Sequence, residues 1–276
     1  MKTRPRASLA TATVLSAGLV LSACGNSTSP ASPGATDASS AESASASGFQ
    51  GGLTVFAAAS LKKTFTQLGT QFEAAHPGVR VNLNFGGSSD LVAQLNQGAP
   101  GDVFASADEK NMAKAVAAGI VTGAPVPFAS NTLTIVTAPG NPKKITDLLS
   151  LAEQSSSGTN VVVCAAPVPC GAATLKVEKA SGADIKPVSQ EQSVTDVLGK
   201  VTSGQADAGL VYVTDAKGAG DKVQAVDFPE SKDAVNLYPI AALEGAKDAA
   251  TAKAFVDYIA GPEGKKVLSD AGFASP

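Results

Sequence analysis

The chain of 276 residues is 44% hydrophobic and 16% charged, apolar enough to bury a sizeable core and so not a disordered chain. It has no Trp, one His and three Cys, which excludes a dense disulfide scaffold and a zinc-finger array. The net charge is -3, but Lys2, Arg4 and Arg6 crowd the start; without residues 1–23 the basic count falls from 21 to 18 against 24 acids, a net of -6. Arg80 is then the one arginine left, whereas a nucleic-acid binder carries a basic stripe, so that class is set aside.

The N-terminus reads as an address. Residues 1–6 are basic, and an apolar stretch of signal-peptide length follows, too short and too interrupted by Ser and Thr for a permanent membrane span. It ends in Leu21-Ser22-Ala23-Cys24. Small residues before a Cys resemble the bacterial lipobox, in which the Cys receives lipid and becomes the first residue of the mature chain. The expectation is a lipoprotein signal peptide over 1–23 and a lipid anchor on Cys24; the other reading is an ordinary secretory signal with an incidental Cys. Residues 24–50 are almost all Ser, Ala, Gly, Thr and Pro. They cannot bury enough surface to offset chain entropy, so a disordered tether is expected, with a span on the order of 30 Å as a random coil.

From residue 51 the chain alternates strand and helix. The run 53–60 reads as a strand, and 61–78 as a helix through Leu61, Phe65, Leu68 and Phe72 that stops at Pro77-Gly78. The period-two run 79–85 reads as a strand, 88–98 as a capped helix, 102–107 as a strand and 109–119 as a helix. A strand over 131–140, a helix over 145–154 and a strand over 160–166 follow. Helices over 170–182 and 194–204 precede strands over 208–214, 223–228 and 237–243, and the chain ends in helices over 249–261 and 262–272. Repeated strand–helix units predict an α/β fold of open sheets with helices on both faces, binding ligands at strand ends beside helix N-termini.

Three strand-to-helix junctions share a chemistry: Ala57-Ala58-Ala59-Ser60, Gly86-Gly87-Ser88-Ser89-Asp90, and Pro169-Cys170-Gly171-Ala172-Ala173-Thr174. Each puts small residues or hydroxyls at a helix start, where backbone N–H groups lack intrahelical partners and the dipole is positive. Together they can hold an anion without any cation. Plain N-capping explains any one such turn; three in one α/β chain point to a site.

Residues 54–61 (TVFAAASL), 85–91 (FGGSSDL), 98–108 (GAPGDVFASAD), 168–175 (VPCGAATL) and 208–216 (AGLVYVTDA) closely resemble, in order, the periplasmic molybdate-binding proteins of ABC importers. The resemblance runs from Leu53 to Phe273. It implies a two-lobed periplasmic-binding-protein fold (type II), with lobe one over 51–130 plus 235–276 and lobe two over 131–234. It implies a monomeric receptor, without cofactor, that delivers molybdate or tungstate to a permease and its ATPase. Carried over by motif, the ligand groups are the hydroxyls and N–H groups of Ser60 and Ser88, the N–H groups of Cys170 and Val194, and the Tyr212 hydroxyl. Ser89 is the alternative to Ser88 by a shift of one residue. Relatives often carry Ala-Ser where this chain has Gly86-Gly87, a change expected to be tolerable at a turn.

Other candidates are weaker. Cys164 and Cys170, in an exported chain, read as a disulfide. Asp102, Asp108 and Glu109 read as solvated turn and cap carboxylates, and no Cys/His constellation suggests a metal. Arg80 reads as a surface charge and Tyr258 as core beside Phe255. The alternatives to molybdate capture are a receptor for sulfate or phosphate and, from another class, a secreted serine hydrolase using Ser60 or Ser88, for which His76 is the one available base and no G-x-S-x-G motif exists.

Overall fold

The structure is a computed structural model and describes residues 50–276, so the signal segment, Cys24 and the rest of the expected tether lie outside the described residues. In chain order, β1 (Gly51–Ala58) leads through a 3-10 turn at Ala59–Leu61 into α1 (Lys62–Ala75). Then come β2 (Val79–Gly86), α2 (Ser88–Asn96), β3 (Val103–Ala105), α3 (Glu109–Ala117) and β4 (Val126–Asn131). The chain next lays down β5 (Leu133–Thr137), α4 (Leu148–Ser155), β6 (Val161–Cys164), α5 (Pro169–Ser181), β7 (Ser189–Glu191), α6 (Val194–Thr202), β8 (Ala208–Tyr212), α7 (Val213–Ala219) and β9 (Gln224–Val226). It closes with β10 (Asn236–Ala242), α8 (Ala249–Ala260) and α9 (Pro262–Ala271).

These strands make two five-stranded sheets of one plan, ordered β2-β1-β3-β10-β4 and β7-β6-β8-β5-β9. In each, three strands run parallel and the fourth in the order is antiparallel to both its neighbours. The chain passes from one sheet to the other at Thr132 and returns between β9 and β10, so two crossing segments join two α/β lobes. The parallel strands carry apolar runs because helices cover both faces: β1 buries Val55, Phe56 and Ala57, and β6 buries Val161, Val162 and Val163.

The first lobe is held by an aromatic cluster on the inner stripe of α1. Phe65 meets Phe128 at 5.8 Å and Phe255 at 6.3 Å, and Phe72 meets Phe255 at 5.1 Å. These separations suit tilted and edge-on ring pairs. Tyr258 is only half buried; its ring lies 5.4 Å from Phe72 and its hydroxyl donates outward to Gln71 Oε1 at 3.3 Å. Arg80 is a surface charge, 3.9 Å from the Glu73 carboxylate.

Three elements differ from the sequence expectation. β4 is a strand although it contains Pro127; it lies at a sheet edge, where a missing N–H is tolerated, and pairs Pro127 with Pro239 across a bulge. β7 is a polar edge strand of three residues. The strand expected over 208–214 stops at Tyr212, because the Asp215 carboxylate accepts the Tyr212 N–H at 3.1 Å and α7 starts there.

Candidate functional site

Each of the five groups singled out in the sequence lies where a strand hands over to a helix. Ser60 is in the 3-10 turn that precedes α1. Ser88 is the first residue of α2, Cys170 follows the Pro169 that opens α5, and Val194 opens α6 behind Ser193, whose hydroxyl caps the helix by accepting the Asp196 N–H at 3.2 Å. Tyr212 ends β8. Cys170 is further fixed by its disulfide to Cys164 at the end of β6, with Cα atoms 5.6 Å apart. The next residue must be glycine: a Cβ on Gly171 would stand 2.0 Å from the Ala165 carbonyl.

All five line one cavity between the lobes, together with Ala58, Ala59, Gly86, Gly87, Ala107, Val168 and Pro169, with an empty volume of about 190 Å³. Part of that volume is open to solvent, so the enclosed room is far below the usual size of an organic-ligand pocket. No lining side chain is charged. The wall presents methyls, hydroxyls and the N–H groups of helix first turns, whose dipoles point their positive ends inward.

Behind the wall the hydroxyls are held by buried partners. Ser88 Oγ accepts the Ala107 N–H at 3.0 Å. Asn236 Nδ2, on β10 in the first lobe, donates to Ala107 O and to the Tyr212 hydroxyl of the second lobe, each at 2.8 Å. Ser60 Oγ lies 3.1 Å from the hydroxyl of Tyr238, whose ring sits edge-on to Tyr212 at 5.9 Å. Burial pushes both phenols well above their usual range, so they are neutral hydroxyls at any working pH. The sequence reading missed Asn236 and Tyr238; both sit on a strand whose polar residues look like any solvent face, and they are 5% and 0% exposed.

Ser89 is placed differently from Ser88. Its Oγ is buried without a hydrogen-bond partner, and it does not line the cavity. Asp102 and Asp108 are buried, not solvated as expected; backbone N–H groups occupy the Asp102 carboxylate, and the Asn111 N–H and side-chain amide occupy that of Asp108. Asp102 accepts from Thr54 at 2.6 Å and Lys247 at 2.7 Å, while Asp108 caps α3 by accepting the Asn111 N–H at 2.8 Å. Glu109 is exposed. His76 caps the far end of the 14-residue α1, about 21 Å along the helix from the end nearest Ser60. Its ring packs 4.3 Å from Phe72, and it cannot serve a serine nucleophile in the cavity. Among the described residues, no group of His, Cys, Asp and Glu is placed to hold a metal ion, and no helix is long and apolar enough to cross a membrane.

The lobes are in contact over the cavity. Besides the Asn236–Tyr212 bond, Asn131 Nδ2 donates to Thr214 Oγ1 at 2.7 Å and Asn111 Nδ2 to Pro167 O at 3.3 Å. Two α/β lobes joined by crossing segments around a small, neutral, donor-lined cavity define a two-lobed solute-binding protein. Residues 53–274 match the model of the bacterial extracellular solute-binding proteins, and the chain belongs to that family. The molybdate-binding protein ModA of Mycobacterium tuberculosis is 51% identical over 263 residues, 95% of each chain. The periplasmic molybdate-binding protein of Azotobacter vinelandii superposes with a TM-score of 0.70 at 24% identity, over 81% of this chain and 99% of that one. The sulfate-binding protein SubI of M. tuberculosis gives 0.69 at 22% identity, over 81% and 86%. Receptors named for two different oxyanions therefore share this fold.

Proposed function

We propose that this protein captures molybdate outside the cell membrane, and tungstate with it, and delivers it to the permease and ATPase of an ABC importer. The ligand groups are the hydroxyls and N–H groups of Ser60 and Ser88, the N–H groups of Cys170 and Val194, and the Tyr212 hydroxyl. One observation carries the reading: the cavity lining contains hydrogen-bond donors and small side chains, with neither a cation nor a carboxylate. Such a wall suits a fully deprotonated tetrahedral dianion, neutralised by helix N-termini and fixed dipoles. The name of the 51%-identical relative supports molybdate over sulfate. Sulfate has the same charge but shorter bonds, so donors spaced for molybdate reach it poorly. Phosphate near neutral pH keeps a proton that finds no acceptor, and an unmade buried hydrogen bond costs about 1–3 kcal/mol.

The chain performs no chemistry on its ligand and needs no cofactor. One chain supplies both lobes and every ligand group, so a monomer suffices. Lipid on Cys24 and the tether hold the body near the membrane face, within reach of the importer.

Calorimetry of the mature body with molybdate, tungstate, sulfate and phosphate at fixed pH tests this. Molybdate and tungstate should bind at similar strength and the other two at least tenfold more weakly. Ser60→Ala and Ser88→Ala should each weaken molybdate by about 1.5–3 kcal/mol, the value of a hydrogen bond to a charged group. Sulfate binding as tightly as molybdate would overturn the specificity.

A further inference from the structure

The proposed ligand set does not explain why the cavity's hydroxyls act as donors. A serine or tyrosine hydroxyl has one proton and two lone pairs, and can turn either toward a ligand. We propose that Asn236 and Tyr238, neither of which lines the cavity, set this direction: by donating to Tyr212 and Ser60 they occupy the acceptor side of each hydroxyl, leave its proton for the anion, and so make the site reject oxyanions that carry a proton. The inference rests on the oxyanion reading above and adds two positioning residues to it.

At two of the three hydroxyls a group that can only donate already occupies a lone pair. Ser88 Oγ accepts a peptide N–H, that of Ala107, which can only donate. Tyr212 accepts from Asn236 Nδ2, and the amide cannot be turned round, because the same nitrogen also faces Ala107 O, a carbonyl that can only accept. Ala107 thus serves both sides of the network through its backbone, its N–H on Ser88 and its carbonyl on Asn236.

At the third hydroxyl either Ser60 or Tyr238 could donate across their 3.1 Å contact. The phenol is the more acidic of the two, hence the better donor, and only Ser60 faces the cavity. An anion there selects the arrangement in which Tyr238 donates to Ser60 and Ser60 donates to the anion. Tyr238 is buried among Phe128, Phe273 and Tyr212, away from water, and besides Ser60 its hydroxyl has Asn131 and the Tyr212 hydroxyl as polar neighbours.

Tyr238→Phe keeps the ring packing and removes the donor; Asn236→Ala removes the other. Each variant, checked for folding by thermal melting, is titrated with molybdate, and arsenate and sulfate are then used to displace it at pH 8. Arsenate there carries one proton and sulfate none, while both are smaller than molybdate, so sulfate controls for size. In each variant arsenate should gain on molybdate by about tenfold while the sulfate-to-molybdate ratio stays at the parent value. A purely structural role would move arsenate and sulfate together, and that result, or no change in either, overturns the assignment. If either variant fails to fold, the other decides. A parent protein that binds no molybdate overturns the oxyanion reading and this inference with it; one that binds molybdate while both ratios stay fixed overturns the inference alone.

Discussion

Gly87 shows how much a single residue of the site depends on the opposite lobe. Its backbone is ordinary, with φ -64° and ψ 135°, so glycine is not required by conformation. Space requires it: a Cβ would stand 2.0 Å from the Gln192 carbonyl, in the segment that leads to α6 of the second lobe. Real Cβ atoms do not approach a carbonyl so closely, so a side chain here requires the Gln192 segment or the contact between the lobes to shift. Gly87→Ala should therefore leave the ligand-free protein's melting temperature within a degree or two of the parent and weaken molybdate binding at least tenfold. Unchanged affinity in calorimetry would show that closure does not need this approach. The sequence reading takes Gly86-Gly87 as tolerable at a turn; the close approach of Gln192, about a hundred residues further on, leaves no local mark that could show what the glycine is for. That Ser60, Ser88, Cys170, Val194 and Tyr212 come together to line one cavity was legible, because each belongs to a short run with its own helix start. Asn236 and Tyr238 act only through atoms brought from elsewhere in the chain, and no local pattern marks them.

At the scale of elements, the junction of β8 with α7 couples chain direction to charge. Val211, Tyr212 and Val213 favour extended structure, which hid the helix start. The break comes from Asp215, whose buried carboxylate accepts the Tyr212 N–H. Burial pushes the Asp215 carboxyl up from 3.8 to about 7, against the opposing pull of that N–H. The folded chain therefore keeps a proton that the unfolded chain releases above pH 4. The contribution of this group to stability falls as pH rises from about 4 to about 7 and is level beyond, with a slope of at most about 1.4 kcal/mol per pH unit. Asp215→Asn keeps an acceptor for the N–H and removes the titration. In urea unfolding, the variant should gain on the parent steadily across that window and hold a constant difference above it. Parallel stability curves would mean that Asp215 is ionised throughout. Long, periodic elements such as α1 and β2 were readable because their apolar spacing serves one packed face. The edge strands β4 and β7 were not, since at a sheet edge pairing partners decide the structure and composition decides little.

At the scale of the whole molecule, the two sheets are tied covalently only at Thr132 and through the segment between β9 and β10. Direct polar bonds such as Asn131–Thr214 and Asn111–Pro167 link the lobes across the cleft, and each is worth about 0.5–1.5 kcal/mol net of the water it displaces. Closing without a ligand would bring the positive ends of helices from both lobes together, a repulsion expected to oppose these bonds. With the proposed ligand set, a dianion would reverse that effect, because only the closed form would complete a ring of donors from Ser60 and Ser88 on one lobe and Cys170, Val194 and Tyr212 on the other. The ligand-free protein should therefore be open in solution and the loaded protein closed, giving an importer a surface that reports loading. Small-angle scattering should show a smaller radius of gyration at saturating molybdate, and Gly87→Ala should compact less at equal saturation. Ligand at a hundredfold excess over its dissociation constant should also add about 2.7 kcal/mol to unfolding stability through mass action. A radius of gyration identical with and without molybdate, in a protein that calorimetry shows to be saturated, would mean that the cavity is preformed and that closure is not the signal.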